Sequence, residues 1–139
     1  MSGSKPRLYR YELPGKWIVL AGATDQDNDY LSTTVAEPAD WWFHAEGVPG
    51  SHVILRAKPD EEPGRETIEQ AAAVAAYHSK ARGAGAVRVH CARARHVSKP
   101  RGAKIGTVQV SKGTVVKVRP DVSAAIRLPP SDDAPDASG

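Results

Sequence analysis

Seven stretches of the chain are rich in β-branched and aromatic residues and predict strands: Leu8–Leu13, Lys16–Ala21, Trp41–Ala45, His52–Ala57, Val87–Cys91, Thr107–Val110 and Thr114–Val118. Leu13-Pro14-Gly15-Lys16 is a turn signal that makes the first two a hairpin, and Ser111-Lys112-Gly113 suggests the same for the last two. In a strand over Trp41–Ala45, Trp42 and His44 share one face while Trp41 and Phe43 share the other. In Thr114–Val118 the adjacent Val115 and Val116 break the alternation, and the pattern assigns no face. One stretch has helical spacing instead. Ile68, Ala71, Ala72, Ala75 and Ser79 form a narrow stripe of small residues. Thr67 is the expected N-cap, with Gln70 completing a capping box, and Gly83 is the expected stop. Glu66 and Glu69 near the helix start, with Lys80 and Arg82 near its end, suit the macrodipole. Asp27-Asn28 suggests the cap of a shorter helix over 29–35. Strands outnumber helices, so the predicted class is α+β: a largely antiparallel sheet with one long and one shorter helix packed on it.

With 139 residues, there is room for one ordinary domain. Pro129–Gly139 holds no apolar residue larger than Ala and reads as a disordered acidic tail. The expected division is a disordered head over 1–6, a folded domain over 7–121 and a mostly disordered tail over 122–139. The single Cys91 excludes an internal disulfide or a multi-cysteine zinc site, and reads as a buried structural residue. No apolar run approaches the roughly 20 residues of a membrane helix, and the first residues lack an apolar signal core, so a cytoplasmic location is expected.

The net charge of +3 hides a strong asymmetry. Residues 1–79 carry a net charge of −5, and residues 121–139 one of −3. Between them, residues 80–120 hold 11 Lys/Arg and no acid. Such clustering is the footprint of a polyanion binder. The alternative is a basic face that pairs with the acidic half of the same domain. Within this stretch, Arg93, Arg95, Lys99, Arg101 and Lys104 lie on a Pro- and Gly-containing loop that can follow successive phosphates.

The other dense segment runs from Asp40 to His52. Trp42 beside His44 can offer a stacking platform to a base; alternatively Trp42 fills the core. Val48-Pro49-Gly50-Ser51 reads as a turn with positive φ at Gly50, whose free N–H groups, with Ser51 and His52, can hold a phosphate. The five histidines show no metal-ligand spacing, and no P-loop or dinucleotide fingerprint is present, so neither metal nor cofactor is expected.

These residues carry a resemblance. Gly22, Asp27-Asn28-Asp29, Asp40-Trp41-Trp42-Phe43-His44 and Pro49-Gly50-Ser51-His52-Val53, in that order, resemble the NFACT RNA-binding domain family. Glu69–Arg82 resembles the family's helix, and Val97–Val108 its Val-x-Lys-Pro-Lys-Gly-Ala-Lys-Pro-Gly-x-Val segment. The match covers about residues 8–121. Two positions depart from it: Ala23-Thr24 stands where the family often has Arg-Asn, and Ile105 where it has Pro. Large family members are ribosome quality-control factors. The resemblance therefore implies contact with tRNA or ribosomal RNA. At this length the chain reads as a stand-alone version of that domain, and the tailing activity of the large factors is not carried over.

The resulting expectation is a non-catalytic RNA-binding module, with tRNA or ribosomal RNA and the ribosome as partners, and no DNA or membrane. Arg93, Arg95, Lys99, Arg101 and Lys104 supply phosphate contacts, Trp42 and His44 stacking and hydrogen bonding, and Asn28, Ser51 and His52 line the same surface. Five neutralised phosphates give a salt slope of roughly −3.5 to −4.5. Two alternatives stay open: a module that docks on a ribosomal protein through its basic face, and a small nuclease using Asp40, His44 and His52.

Overall fold

Alternation along the strands puts a different apolar set on each face of one sheet, and each face recruits its own cover. The computed structural model describes residues 7–129. The expected head over 1–6 and most of the acidic tail lie outside the described residues. Strands β1 (Leu8–Leu13), β2 (Trp17–Gly22), β3 (Trp41–Ala45), β4 (Val53–Leu55), β5 (Val87–Arg93), β8 (Thr114–Val118) and β9 (Ile126–Leu128) form a seven-stranded sheet. Its order is β8-β5-β3-β4-β2-β1-β9, and every pairing is antiparallel. Short strands β6 (Val97–Ser98) and β7 (Gln109–Val110) pair separately. The α+β class is as expected, with a long helix α2 (Arg65–Tyr77) and a short α1 (Asp25–Tyr30).

On one face, Tyr11, Leu13, Trp17, Val19, Phe43, Val53, Leu55, Val89 and Cys91 are buried against α2. Ala71–Ala76 of α2 are all buried, six consecutive positions rather than a narrow stripe. Burial extends round the helix because the segment after β8 lies along its far side: Val122 and Ala125 pack on this core, and Asp121 N–H donates to Ala73 C=O. That segment leads to β9, which pairs with β1, so the sheet includes residues beyond 121.

On the other face, Leu8, Leu20, Trp42 and Ile54 are buried beneath Leu31 and Val35, with Val97, Val108 and Val110 packed alongside. Trp42 and Phe43 thus face opposite cores, as alternation predicts. The cover is α1, its continuation as a π turn over Leu31–Val35, and the β6–β7 segment.

Several local expectations are corrected. α2 begins at Arg65 with Gly64 as N-cap and no side-chain cap bond, so Thr67 is inside the helix and makes no capping box. The helix ends at Tyr77, before Gly83, and its last turn holds no basic residue; Arg82, past the end, still places its cation there, donating Nε–H to the Tyr77 carbonyl at 2.6 Å. Ser79 lies past the end and donates its hydroxyl to Ala76 C=O at 2.7 Å. α1 is capped by Thr24, not by Asp27-Asn28. The hairpin of β1 and β2 forms as expected, but the one expected at Ser111-Lys112-Gly113 does not. β7 pairs with β6, and β8 with β5. Long-range burial of Val116 and Val118 against α2 outweighs the local turn signal.

Candidate nucleic-acid interface

The second face is fastened by buried polar groups. The Trp42 indole N–H donates to Ser32 Oγ at 3.0 Å, and Ser32 Oγ lies 2.7 Å from His52 Nδ1. An indole can only donate, so Ser32 Oγ accepts from Trp42 and links it to the His52 ring. Burial, followed by the neighbouring His44, lowers the His52 pKa from 6.5 to about 4, with Asp29 and the Gly106 backbone opposing. Burial likewise lowers the pKa of His44, whose ring stacks on Trp42 at 6.1 Å and meets His52 edge-on at 5.3 Å. Asn28 Oδ1 accepts the His52 N–H at 3.0 Å. It sits so close to Gly22 that a Cβ there would lie 2.2 Å from the amide oxygen, so position 22 excludes every side chain.

This network also anchors the basic loop. Lys99 Nζ pairs with Asp29 at 3.3 Å and donates to the carbonyls of Lys104 and Thr107. Gly106 N–H donates to the other Asp29 oxygen at 2.9 Å. Gly106 has φ of +86°, and a Cβ there would meet Asp25 at 3.0 Å. Lysine and glycine thus tie both ends of the turn to α1.

The ten residues singled out in the sequence do not form one surface. Trp42 is 3% exposed, so it is a core residue and no stacking platform. Asn28 and His52 are buried as pins of the network. Asn28 and the half-buried Ser51 do border one cleft, as expected, but His52 does not. The phosphate turn is also corrected. Positive φ occurs at Gly47, not Gly50. Ser51 N–H is taken by His78 C=O and His52 N–H by Asn28, so these amides are not free for a phosphate. Among the basic residues, Arg93 is held by Glu62 and Ala39 C=O and covers the Trp41 ring at 4.1 Å, while Lys99 is internal to the loop. Arg95, Arg101 and Lys104 are exposed and make no ion pair among the described residues.

Internal charge pairing accounts for few of the basic residues. Of the 11 cations in 80–120, only Arg88, Arg93 and Lys99 meet a carboxylate among the described residues. Asp40, the carboxylate of the nuclease alternative, is buried, pairs with Arg56 at 2.9 Å and accepts the Glu37 and Ala57 N–H groups. These bonds define a turn brace rather than a free acid.

Sequence reasoning missed a second cluster. Tyr9, Tyr11 and Tyr77 surround His78 at the end of α2, with Arg82 over Tyr77 and Arg127 over Tyr9. The only sequence signal is the aromatic pair Tyr77-His78 followed by two cations; the partners on β1 and β9 are remote along the chain.

The molecule is an α+β sheet domain that presents an exposed basic loop, and its similarity to known proteins gives the family. The profile of the family described as "NFACT protein RNA binding domain" matches residues 7–115. The chain belongs to this family. It is 42% identical over 123 residues, 88% of this chain, to the Rqc2 homolog RqcH of Bacillus subtilis, and 38% identical over 84% of this chain to that of Streptococcus suis. It spans about a fifth of these relatives' length. The structure of the C-terminal part of the fibronectin/fibrinogen-binding protein from Streptococcus suis is similar, with a TM-score of 0.76 and 35% identity, covering 87% of this chain and 47% of that one.

Proposed function

We propose that this domain binds structured RNA, transfer or ribosomal, through the loop carrying Arg95, Arg101 and Lys104, without catalysing a reaction on it. The carrying observation is that these three cations are exposed and make no ion pair among the described residues: Arg101 and Lys104 lie on a turn whose ends are tied down by Lys99 and Gly106, and Arg95 lies on the preceding 3-10 turn Ala94–His96, its N–H bonded to Pro38 C=O. A held loop presents its charges to successive phosphates with less ordering cost on binding than a free one. Family membership supports RNA as the polyanion, and the resemblance to ribosome quality-control factors supports the ribosome as the platform and the cytoplasm as the compartment. Because Arg93 and Lys99 are committed internally, the loop neutralises about three phosphates rather than five. The loop's share of the salt slope falls to roughly −2 to −3. The test is anisotropy of labelled tRNA with the purified domain across a salt series. Binding that is independent of salt, or unchanged by replacing the three cations with Ala, would overturn the proposal.

A further inference from the structure

Two cavities share the walls Tyr9, His78 and Arg82, one of about 370 Å³ and one of about 320 Å³. Each lies at the lower end of the size range of small-ligand pockets. The first is bordered by the chain around Gly50 and by Lys80, the second by Tyr77 and Arg127. They form one cleft where β1, the end of α2 and β9 meet.

Its chemistry is specific. Three cations face it, Lys80, Arg82 and Arg127, all exposed and without an ion pair among the described residues. One acid, Asp25, borders the first cavity. The aromatic groups are layered: Tyr9 stacks on His78 at 4.8 Å with a 20° tilt, Arg127 lies 4.8 Å over Tyr9, and Arg82 lies 4.1 Å over Tyr77. Tyr11 Oη lies 2.6 Å from His78 Nε2 and fixes that ring. A guanidinium stacked on a tyrosine keeps its outer face open, and that face accepts a nucleobase while its N–H groups reach a phosphate.

We propose that this cleft is a nucleotide-binding subsite, in which an unpaired nucleotide stacks on the Arg82 or Arg127 guanidinium and its phosphate is held by Lys80 and the same arginines. The assignment rests on the RNA-binding reading only for the source of that nucleotide. The two regions are contiguous: Asp25, on the cleft border, is the residue against which Gly106 of the basic loop packs.

His78 supplies a readout. Burial, then the charges of Arg82 and Arg127, lowers its pKa from 6.5 to about 4, with Tyr9, Tyr11 and Tyr77 as its other neighbours. A bound phosphate offsets the two arginines and raises that pKa. The experiment is an NMR titration of the isotope-labelled domain with UMP and AMP, and separately with inorganic phosphate. The expected result is saturable shifts of the Tyr9 and His78 ring signals by both nucleotides, a rise in the His78 pKa, and affinity lower by about fivefold or more in Arg82→Ala and in Arg127→Ala. The two variants lie on different elements, so unfolding of one leaves the other informative. Shifts confined to the loop, or equal shifts and midpoints with inorganic phosphate alone, would overturn the nucleotide assignment. Nucleotide shifts in a domain that fails to bind tRNA would support the cleft and overturn the RNA reading instead.

Discussion

The two faces of the sheet are held by different kinds of interaction. Beneath α2 the contacts are apolar: alanines and Val74 lie on Phe43, Val53, Leu55 and Val89, with Cys91 as one more small hydrophobe. Its thiol pKa is raised by burial from 9.0 to about 11, consistent with an inert core residue. Beneath α1 the apolar set is smaller, and Trp42, Ser32, His52 and Asn28 are joined by hydrogen bonds. Apolar packing tolerates volume-conserving exchange, whereas a satisfied buried polar network fails when one member is lost. The face that presents the basic loop is therefore the geometrically specified one.

The largest expected effect is on that network. Trp42→Ala removes a buried ring and leaves Ser32 short of a donor, and should lower stability by about 3–5 kcal/mol in urea unfolding. Trp42→Phe keeps most of the volume and should cost roughly 1–2 kcal/mol, isolating the indole hydrogen bond. If both cost less than Phe43→Leu on the opposite face, the contrast between the faces is wrong.

Acid should act next. His52 is held neutral in the fold with a pKa of about 4, against 6.5 for a free side chain. The unfolded chain therefore binds the extra proton first. Stability is full above about pH 6.5 and falls as pH drops towards 4, by roughly 3 kcal/mol at most from this residue. His78, lowered to about 4, contributes in the same direction from the cleft, less because it is only half-buried. Unfolding midpoints of His52→Gln and His78→Gln across pH 4–7 should separate the two. A pH-independent difference between wild type and His52→Gln would contradict the neutral assignment.

A smaller effect is expected at the loop anchor. Gly106→Ala forces a Cβ onto positive φ and against Asp25, and should cost on the order of 1–3 kcal/mol while weakening RNA binding. The smallest effect on stability, within about 0.5 kcal/mol, is expected for Arg95, Arg101 and Lys104 changed together to Ala. These positions are exposed and make no ion pair among the described residues, and their loss should appear in binding alone.

The sequence made the strands legible wherever a side-chain period met a buried face. β1 and β3 run over the ranges their residues predict, and so does β8, from its β-branched content rather than from alternation. The second hairpin misled because Ser111-Lys112-Gly113 is a local signal, while the partner of β8 is decided by burial against α2, far away in sequence. The basic stretch was legible as charge, but not which cations are committed: Glu62 and Asp29, which take Arg93 and Lys99, are remote along the chain. Trp42 illustrates the same limit. Its face follows from alternation, but its burial depends on a cover supplied by Leu31–Val35 and by the loop itself. The aromatic–arginine cleft escaped notice because its parts come from β1, α2 and β9, and no single segment carries them.

The most direct test of the central claim is tRNA anisotropy over a salt series, comparing the domain with its Arg95/Arg101/Lys104→Ala variant. The expected result is a log–log slope shallower by roughly 2 to 3 in the variant than in the wild type, the two proteins melting at the same temperature. Equal slopes for the two proteins would contradict the claim that this loop is the phosphate-binding element.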